Sequence, residues 1–141
     1  MREECPLCEQ VGGELVVSTP LYRVVWADEP LYPGFLRLIW NSHVREFSHL
    51  PESEQLQCFQ AIAKLEQFVL QHMGADKVNL ASLGNLVPHL HWHIVPRFKQ
   101  DSHFPLPVWG DAPKHAALCD QQLAILEKKV FLADRLQLLF S

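Results

Sequence analysis

Three histidines at alternate positions are the feature of this sequence with the clearest chemical potential. They are His89, His91 and His93 in the segment His89-Leu90-His91-Trp92-His93-Ile94-Val95. Successive side chains of a β-strand point to opposite faces, so an extended backbone places the three imidazoles on one face and the apolar residues between them on the other. Burying three unpaired imidazoles is costly, and the row therefore predicts a function rather than simple packing.

The spacing of the row favours phosphorus chemistry over metal binding. Donor nitrogens lie about 2.0–2.1 Å from a zinc ion, whereas alternate strand positions are about 6.8 Å apart, so the outer pair does not easily join one ion. An extended phosphate ester fits better, because one ring can attack phosphorus while its neighbours donate hydrogen bonds to phosphate oxygens. Histidine serves as neutral nucleophile or cationic donor near pH 7. A metal site and an inert polar face remain alternatives.

A pair of cysteines near the N-terminus forms a second candidate site. Cys5-Pro6-Leu7-Cys8 has the spacing of half a zinc site, because two intervening residues let both thiolates reach one ion. A reduced dithiol without metal is an equal alternative, and a redox pair would need to lie at the start of a helix that follows a strand. Cys58 and Cys119 fall in helical patterns and are expected to be packed free thiols.

The composition limits the class of protein. The chain has 141 residues, 48% hydrophobic and 20% charged, which predicts one soluble domain spanning 1–141. A formal net charge of -4 argues against nucleic-acid and anionic-membrane partners. The N-terminus lacks the layout of a secretion signal, and no apolar run approaches the roughly 20 residues of a membrane span, so a cytoplasmic location is expected.

Hydrophobic periodicity predicts the elements that position these residues. Proline and acidic residues open an amphipathic helix over about 52–73, which Gly74 is expected to end. The other predicted elements are strands at 14–18, 22–26, 35–40, 77–83 and 88–98, and a helix at about 114–138. The predicted fold is α+β, an antiparallel sheet of about five strands with one long helix and a C-terminal helix. An uncovered strand edge and the stripe of Leu126, Val130 and Leu139 predict a homodimer.

The pattern H-x-H-x-H with apolar residues between and after the histidines resembles the signature of the histidine triad (HIT) superfamily. The resemblance extends from Cys5 to about Gly110 and implies a HIT-like fold and a nucleotide substrate. It implies that His91 forms a covalent nucleotidyl intermediate, with His89 and His93 holding the α-phosphate and no cofactor needed for catalysis. The implied activity is a hydrolase or transferase acting on nucleoside phosphoramidates, dinucleoside polyphosphates or related conjugates.

The same resemblance assigns further residues. It implies Asp28 at the ribose hydroxyls, and it gives Asn79 and Asn85 the places of polar residues that precede the triad. Trp109 resembles a tryptophan that reaches the site, sometimes across a dimer, although loop packing is equally expected. Trp26 is a candidate for stacking on the base, or else a core residue.

A zinc site also follows from the resemblance. Some members complete such a cysteine pair with two histidines, which gives Cys5, Cys8, His43 and His89 as a structural zinc site. In that case His89 is structural rather than catalytic.

Three departures from the family pattern bear on activity. Phe35 stands where many members have histidine, Leu86 where many have a serine or threonine, and Trp40 where proline is usual. Leu86 has no hydroxyl to donate to a leaving group. These departures keep two rival functions open: a catalytically weak nucleotide-binding regulatory module, and a zinc-structured interaction protein.

Overall fold

A five-stranded antiparallel sheet is the frame of the protein, and the computed structural model describes residues 4–141. The first three residues, part of the N-terminus whose composition predicts no secretion signal, lie outside the described residues. The strands follow the order β1-β2-β3-β5-β4, with β1 Glu14–Ser18, β2 Tyr22–Trp26, β3 Leu36–Trp40, β4 Lys77–Ala81 and β5 His91–Arg97. The prediction of an α+β fold with five strands and a long helix is confirmed.

The long helix α2, Glu52–His72, forms as its sequence predicts. Pro51 precedes it, and Glu52 and Glu54 lie in the first turn, where negative charge is favourable to the helix dipole. Gly74 follows the last turn with a φ of +67°, a backbone conformation that glycine adopts without steric cost. The helix bounds and the end of the helix at Gly74 are therefore confirmed to within one residue. No helix within residues 4–141 is long and apolar enough to cross a membrane.

The helices cover one face of the sheet and leave the other face for the site. Alternate β3 residues Leu36, Leu38 and Trp40 join the same buried cluster as the inward side chains of α2, namely Cys58, Ala61, Ile62, Leu65, Phe68 and Val69. Because strand side chains alternate, Arg37 points to the opposite face. The cross-strand partners of β3 and β5 place Arg37 opposite His93 and Ile39 opposite His91 on that same face.

The C-terminal region differs from its prediction. The sequence predicts a single helix over 114–138, whereas the structure has two, α3 Asp120–Glu127 and α4 Lys129–Leu139, separated at Lys128. A short helix near the N-terminus, α1 Pro6–Glu9, completes the set of α-helices within residues 4–141. Residue 114 is instead tied to the preceding loop, because its N–H donates to the carbonyl of Ser102 at 2.8 Å. Helix α3 begins where the side chain of Gln122 accepts a hydrogen bond from the N–H of Cys119 at 3.1 Å.

The histidine segment also differs from its prediction in one respect. The sequence predicts a strand from Pro88, but β5 begins at His91. His89 precedes the strand in a turn, where its N–H donates to the carbonyl of Val87 at 2.9 Å. Proline has no N–H for a sheet ladder, which favours starting the strand after Pro88. The prediction that all three histidines share one strand is therefore wrong for His89, while His91 and His93 do share a face.

Candidate active site

The ring of His91 is held in one orientation by a backbone carbonyl. His91 Nδ1 lies 2.6 Å from the carbonyl oxygen of His89. A carbonyl only accepts hydrogen bonds, so Nδ1 carries the proton and Nε2 keeps its lone pair. Burial lowers the pKa of His91, partly offset by this bond and reinforced by the charge of Arg37, so the neutral ring is favoured. His91 thus presents an uncharged, nucleophilic nitrogen.

A cavity of about 410 Å³ lies over this ring. Its volume falls in the range of small-molecule sites, roughly 300–1,000 Å³. The sequence-predicted residues His91, His93, Asn85 and Trp109 all line the cavity, together with Leu7, Arg37, Leu83, Gly84, Leu86 and Val87. The structure therefore brings four of the predicted site residues together.

The loop after β4 contributes backbone donors to the cavity. Gly84 has a φ of +73°, which turns the chain at the cavity wall. Within residues 4–141 the N–H groups of Asn85, Leu86 and Val87 donate to no protein acceptor. Such unpaired N–H groups at a cavity form a site for an anion, since fixed backbone dipoles bind negative charge without reorganisation. The side chain of Leu86 is 93% exposed at the rim and supplies no hydroxyl.

His93 sits in an aromatic environment. Its ring centroid lies 5.5 Å from that of Phe35 and 5.0 Å from that of Trp109. The ring is 7% exposed, and among the described residues its Nδ1 has no hydrogen-bond partner. Burial, with smaller contributions from the charges of His91 and Arg37, lowers the pKa of His93 to about 4. His93 is therefore uncharged at neutral pH, and Phe35 offers an aromatic edge where a histidine would offer a hydrogen bond.

The four residues of the predicted zinc site converge next to the cavity. The Sγ atoms of Cys5 and Cys8 lie 3.4 and 3.5 Å from Nδ1 of His89, and Cys8 Sγ lies 3.3 Å from Nδ1 of His43. The four ligand atoms all lie within 4.8 Å of one another. A tetrahedral zinc shell with ordinary bond lengths separates sulfur and nitrogen ligands by about 3.6 Å, so this arrangement fits a zinc ion.

His89 belongs to that cluster rather than to the cavity wall. Its Nε2 lies 2.6 Å from the carbonyl oxygen of Trp40, which fixes the proton on Nε2 and directs the lone pair of Nδ1 at the two thiols. The side chain is fully buried, and burial lowers its pKa. Both ring nitrogens are thus engaged away from the cavity, while the carbonyl of His89 orients His91.

Asn79 and Arg97 take part in a hydrogen-bond network and do not line the cavity over His91. Arg97 donates to both carboxylate oxygens of Asp101 at 2.8 and 3.1 Å, to Asn79 Oδ1 at 2.7 Å and to the carbonyl of Leu106 at 2.7 Å. Asp101 also accepts from the N–H groups of Phe98, His103 and Phe104. This network fixes the start of the segment that brings Trp109 to His93. Sequence reasoning missed Asp101, whose only signal is an acidic residue four positions after an arginine.

Trp26 and Asp28 precede Glu29, whose Oε1 lies 3.5 Å from Nη2 of Arg37, a residue that lines the cavity over His91. They line a separate depression near Glu14 and Lys129, and neither lines the cavity over His91. Trp26 is 5% exposed and packs in the core beneath the Nζ of Lys129, 5.3 Å from the ring centroid. Trp26 is therefore a core residue, the second of its two predicted roles, and the role of Asp28 at the ribose hydroxyls stays a prediction.

Comparisons with known proteins show the family and the fold. The family model of the HIT domain matches residues 9–100. Among solved structures, a histidine triad protein from Bradyrhizobium japonicum is similar at a TM-score of 0.70 and 29% identity, covering 86% of this chain and 90% of that chain.

Two curated relatives carry names of hydrolases. The chain is 29% identical over 96 residues to bis(5'-nucleosyl)-tetraphosphatase (asymmetrical) of Schizosaccharomyces pombe, a match that covers 64% of this chain and 53% of the relative. It is 31% identical over 77 residues to bis(5'-adenosyl)-triphosphatase of Saccharomyces cerevisiae, covering 50% of this chain and 37% of the relative. The matched region thus spans about half the length of these relatives, or less.

The environment of His93 predicts a measurable dependence of stability on pH. The pKa of His93 is about 4 in the folded protein and near 6.5 when the side chain is exposed. Between these two pKa values the unfolded state binds a proton that the folded state does not, so the free energy of unfolding decreases as the pH falls. Wild-type protein should lose on the order of 2 kcal/mol between pH 7 and pH 4 that His93→Gln does not lose. Urea unfolding at both pH values measures this, with exposed His49→Gln as the control. Equal losses for wild type and His93→Gln would contradict the assignment.

Proposed function

This chain belongs to the HIT family, and from that premise we propose that it is a nucleotide hydrolase or transferase that reacts at the α-phosphate through His91. The observation that carries the proposal is the 2.6 Å hydrogen bond from His91 Nδ1 to the His89 carbonyl. It leaves the lone pair of Nε2 free at a cavity that residues 85–87, with their unpaired N–H groups, also line.

The first step joins the nucleotide to the protein. Nε2 of His91 forms a bond to the α-phosphorus as the bond from phosphorus to the leaving group breaks, and the leaving group departs with that electron pair. The backbone N–H groups of Asn85 to Val87 stabilise the charge on the phosphate oxygens. His93 is the neighbouring ring, and as a neutral imidazole it acts as a hydrogen-bonding partner of the phosphate rather than as a cation.

The second step releases the nucleotide. The oxygen of a water molecule bonds to phosphorus as the phosphorus–nitrogen bond to His91 breaks, and the pair of electrons returns to Nε2. The proton that the water loses passes to the solvent, and the product is a nucleoside monophosphate. An acceptor other than water in this step gives a transferase. The carbonyl of His89 stabilises the partial positive charge that His91 carries while it is bonded to phosphorus.

The substrate class rests on the relatives. Their names denote hydrolysis of dinucleoside tetraphosphates and triphosphates, and we extend this class, with nucleoside phosphoramidates, to the present chain. The alternative, a nucleotide-binding module with weak turnover, is favoured by Leu86 and Phe35, since neither side chain donates a hydrogen bond near the cavity. Nucleotide binding without product release distinguishes this alternative.

We also propose that Cys5, Cys8, His43 and His89 hold a structural zinc ion. The four donors fill a tetrahedral shell and leave no open position for a substrate, which is the pattern of structural rather than catalytic zinc. Such an ion would brace the segment from 4 to 10 against the carbonyl-bonded ring of His89.

A homodimer remains part of the proposal. Exposed apolar side chains lie on α2, at Leu56, Phe59 and Leu70, and on the C-terminal helices, at Leu126, Val130 and Leu139. Apolar surface of this kind on a small protein is typical of subunit contacts. Sedimentation at micromolar concentration should give twice the chain mass of 16.2 kDa; a species of 16.2 kDa would contradict the dimer.

Replacement of His91 tests the mechanism. His91→Ala should lower kcat/KM on a dinucleoside polyphosphate or a nucleoside phosphoramidate by several orders of magnitude, because the substitution removes the attacking Nε2. Intact-protein mass spectrometry of wild type after brief mixing should reveal a nucleotidyl adduct that His91→Ala lacks. His49→Ala, an exposed histidine, is the control. Near-normal turnover by His91→Ala would exclude the mechanism.

Replacement of the cysteines tests the zinc site. Wild-type protein should contain one zinc per chain, and Cys5→Ser/Cys8→Ser should contain none and unfold at a lower temperature, because the binding energy contributes to folding. Cys119→Ser is the matched control, since Cys119 lies outside the cluster. Metal analysis and thermal unfolding give the two readouts. Metal-free wild-type protein after growth with ample zinc would refute the site.

A further inference from the structure

Arg37 is distinguished by how little of its hydrogen-bonding capacity the fold uses. Arg23 donates four hydrogen bonds of 2.7–3.0 Å, and Arg97 donates four of 2.7–3.1 Å. Arg37 makes two longer contacts, from Nη1 to the carbonyl of Gly12 at 3.3 Å and from Nη2 to Glu29 Oε1 at 3.5 Å. A guanidinium has five N–H donors, so most of the capacity of Arg37 is available to a ligand.

The position of Arg37 is not explained by packing. Arg37 belongs to the strand Leu36–Trp40, whose four remaining residues are all buried. An aliphatic side chain at position 37 would suit the apolar surroundings better. The ion pair of Arg37 with Glu29 joins side chains that are 25% and 43% exposed, and an exposed pair of this length contributes little to stability. The guanidinium also lies over the ring of Phe35, 5.5 Å from its centroid, a contact that contributes little to stability where the side chain is partly exposed. These contacts alone give no strong reason for an arginine at this position.

The location of Arg37 relates it to the reacting phosphate. Its cross-strand partner is His93, and its side chain lines the same cavity as His91 and His93. The backbone donors of 85–87 lie in the loop that follows β4, on the far side of β5 from β3. Strand β5 with its histidines therefore lies between Arg37 and the loop 85–87. In the proposed reaction the N–H groups of this loop bind the attacked phosphate, so the adjoining part of the substrate lies on the side of Arg37.

The charge of Arg37 identifies the ligand chemistry. Among the residues of the described range 4–141 that line the cavity, it is the only arginine or lysine, and His93, with a pKa of about 4, adds no charge at neutral pH. The other described side chains of the lining are those of three leucines, Val87, Trp109, Asn85 and the two histidines, so Arg37 is the cation available to a polyphosphate. A guanidinium suits phosphate, because its planar donors pair with two oxygens at once.

We propose that Arg37 binds a phosphate group next to the one attacked by His91, so that the site favours substrates with a polyphosphate leaving group over those with an amine leaving group. This inference rests on the proposed function and specifies its substrate class. The competing possibility, that Arg37 contacts the nucleoside, is an outcome of the test below.

The test compares two substrates in matched variants. Arg37→Met should lower kcat/KM for diadenosine triphosphate by about tenfold to a hundredfold, and that for adenosine 5′-phosphoramidate by less than about threefold. Arg37→Lys should recover part of the loss, because the charge remains while the planar fork is gone. Arg45→Met is the control, since Arg45 is exposed and outside this cavity but its loss changes net charge equally.

A binding measurement separates this inference from the proposed function. Calorimetric titration with inorganic tripolyphosphate should reveal binding to wild type and Arg45→Met that Arg37→Met lacks, whether or not either substrate is cleaved. If wild-type protein cleaves neither substrate, the result counts against the proposed function alone. Equal loss on both substrates in Arg37→Met would assign the residue to the nucleoside and overturn the inference. Tripolyphosphate binding that is absent from wild type, or unchanged in Arg37→Met, would also overturn it.

Discussion

The hydrogen bond between the His89 carbonyl and the ring of His91 is the constraint on which the candidate site depends. It determines which nitrogen of His91 is free, and it requires the backbone at His89 to be immobile. That immobility has two sources. The ring of His89 donates to the carbonyl of Trp40, and its other nitrogen faces the thiols of Cys5 and Cys8. The cysteine-histidine cluster and the nucleophile are therefore linked through a single residue.

The site is organised around donors that carry little charge. Burial favours neutral His91 and His93, so in the proposed reaction backbone N–H groups and Arg37, rather than imidazolium ions, face the negative charge of the phosphate. Fixed dipoles of this kind do not need to reorganise as charge develops. The apolar rim formed by residues such as Leu86 and Trp109 keeps the local dielectric low, which strengthens each of these interactions.

Two of the three departures from the family pattern, Phe35 and Leu86, have clear structural consequences. Phe35 packs edge-on against His93 and leaves its Nδ1 without a hydrogen bond among the described residues, so aromatic contacts alone hold that ring on this side. Leu86 exposes its side chain at the cavity mouth, so that donors at this place come from the backbone. The buried Arg97–Asp101 pair compensates by fixing the segment that carries Trp109.

Sequence alone determined the features that depend on local periodicity and on residue type. The alternation of β3 and β5, the long helix that ends at Gly74, and the pairing of His91 with His93 on one face all follow from periods of 2 and 3.6 residues. Tertiary structure decided what depends on contacts between distant segments. It directed His89 to the cysteines 81 and 84 positions away, bound Asn79 to Arg97, and buried Trp26 in the core. It also brought Arg37 beside the histidines, because cross-strand register is set by packing of the whole sheet and not by the strand itself.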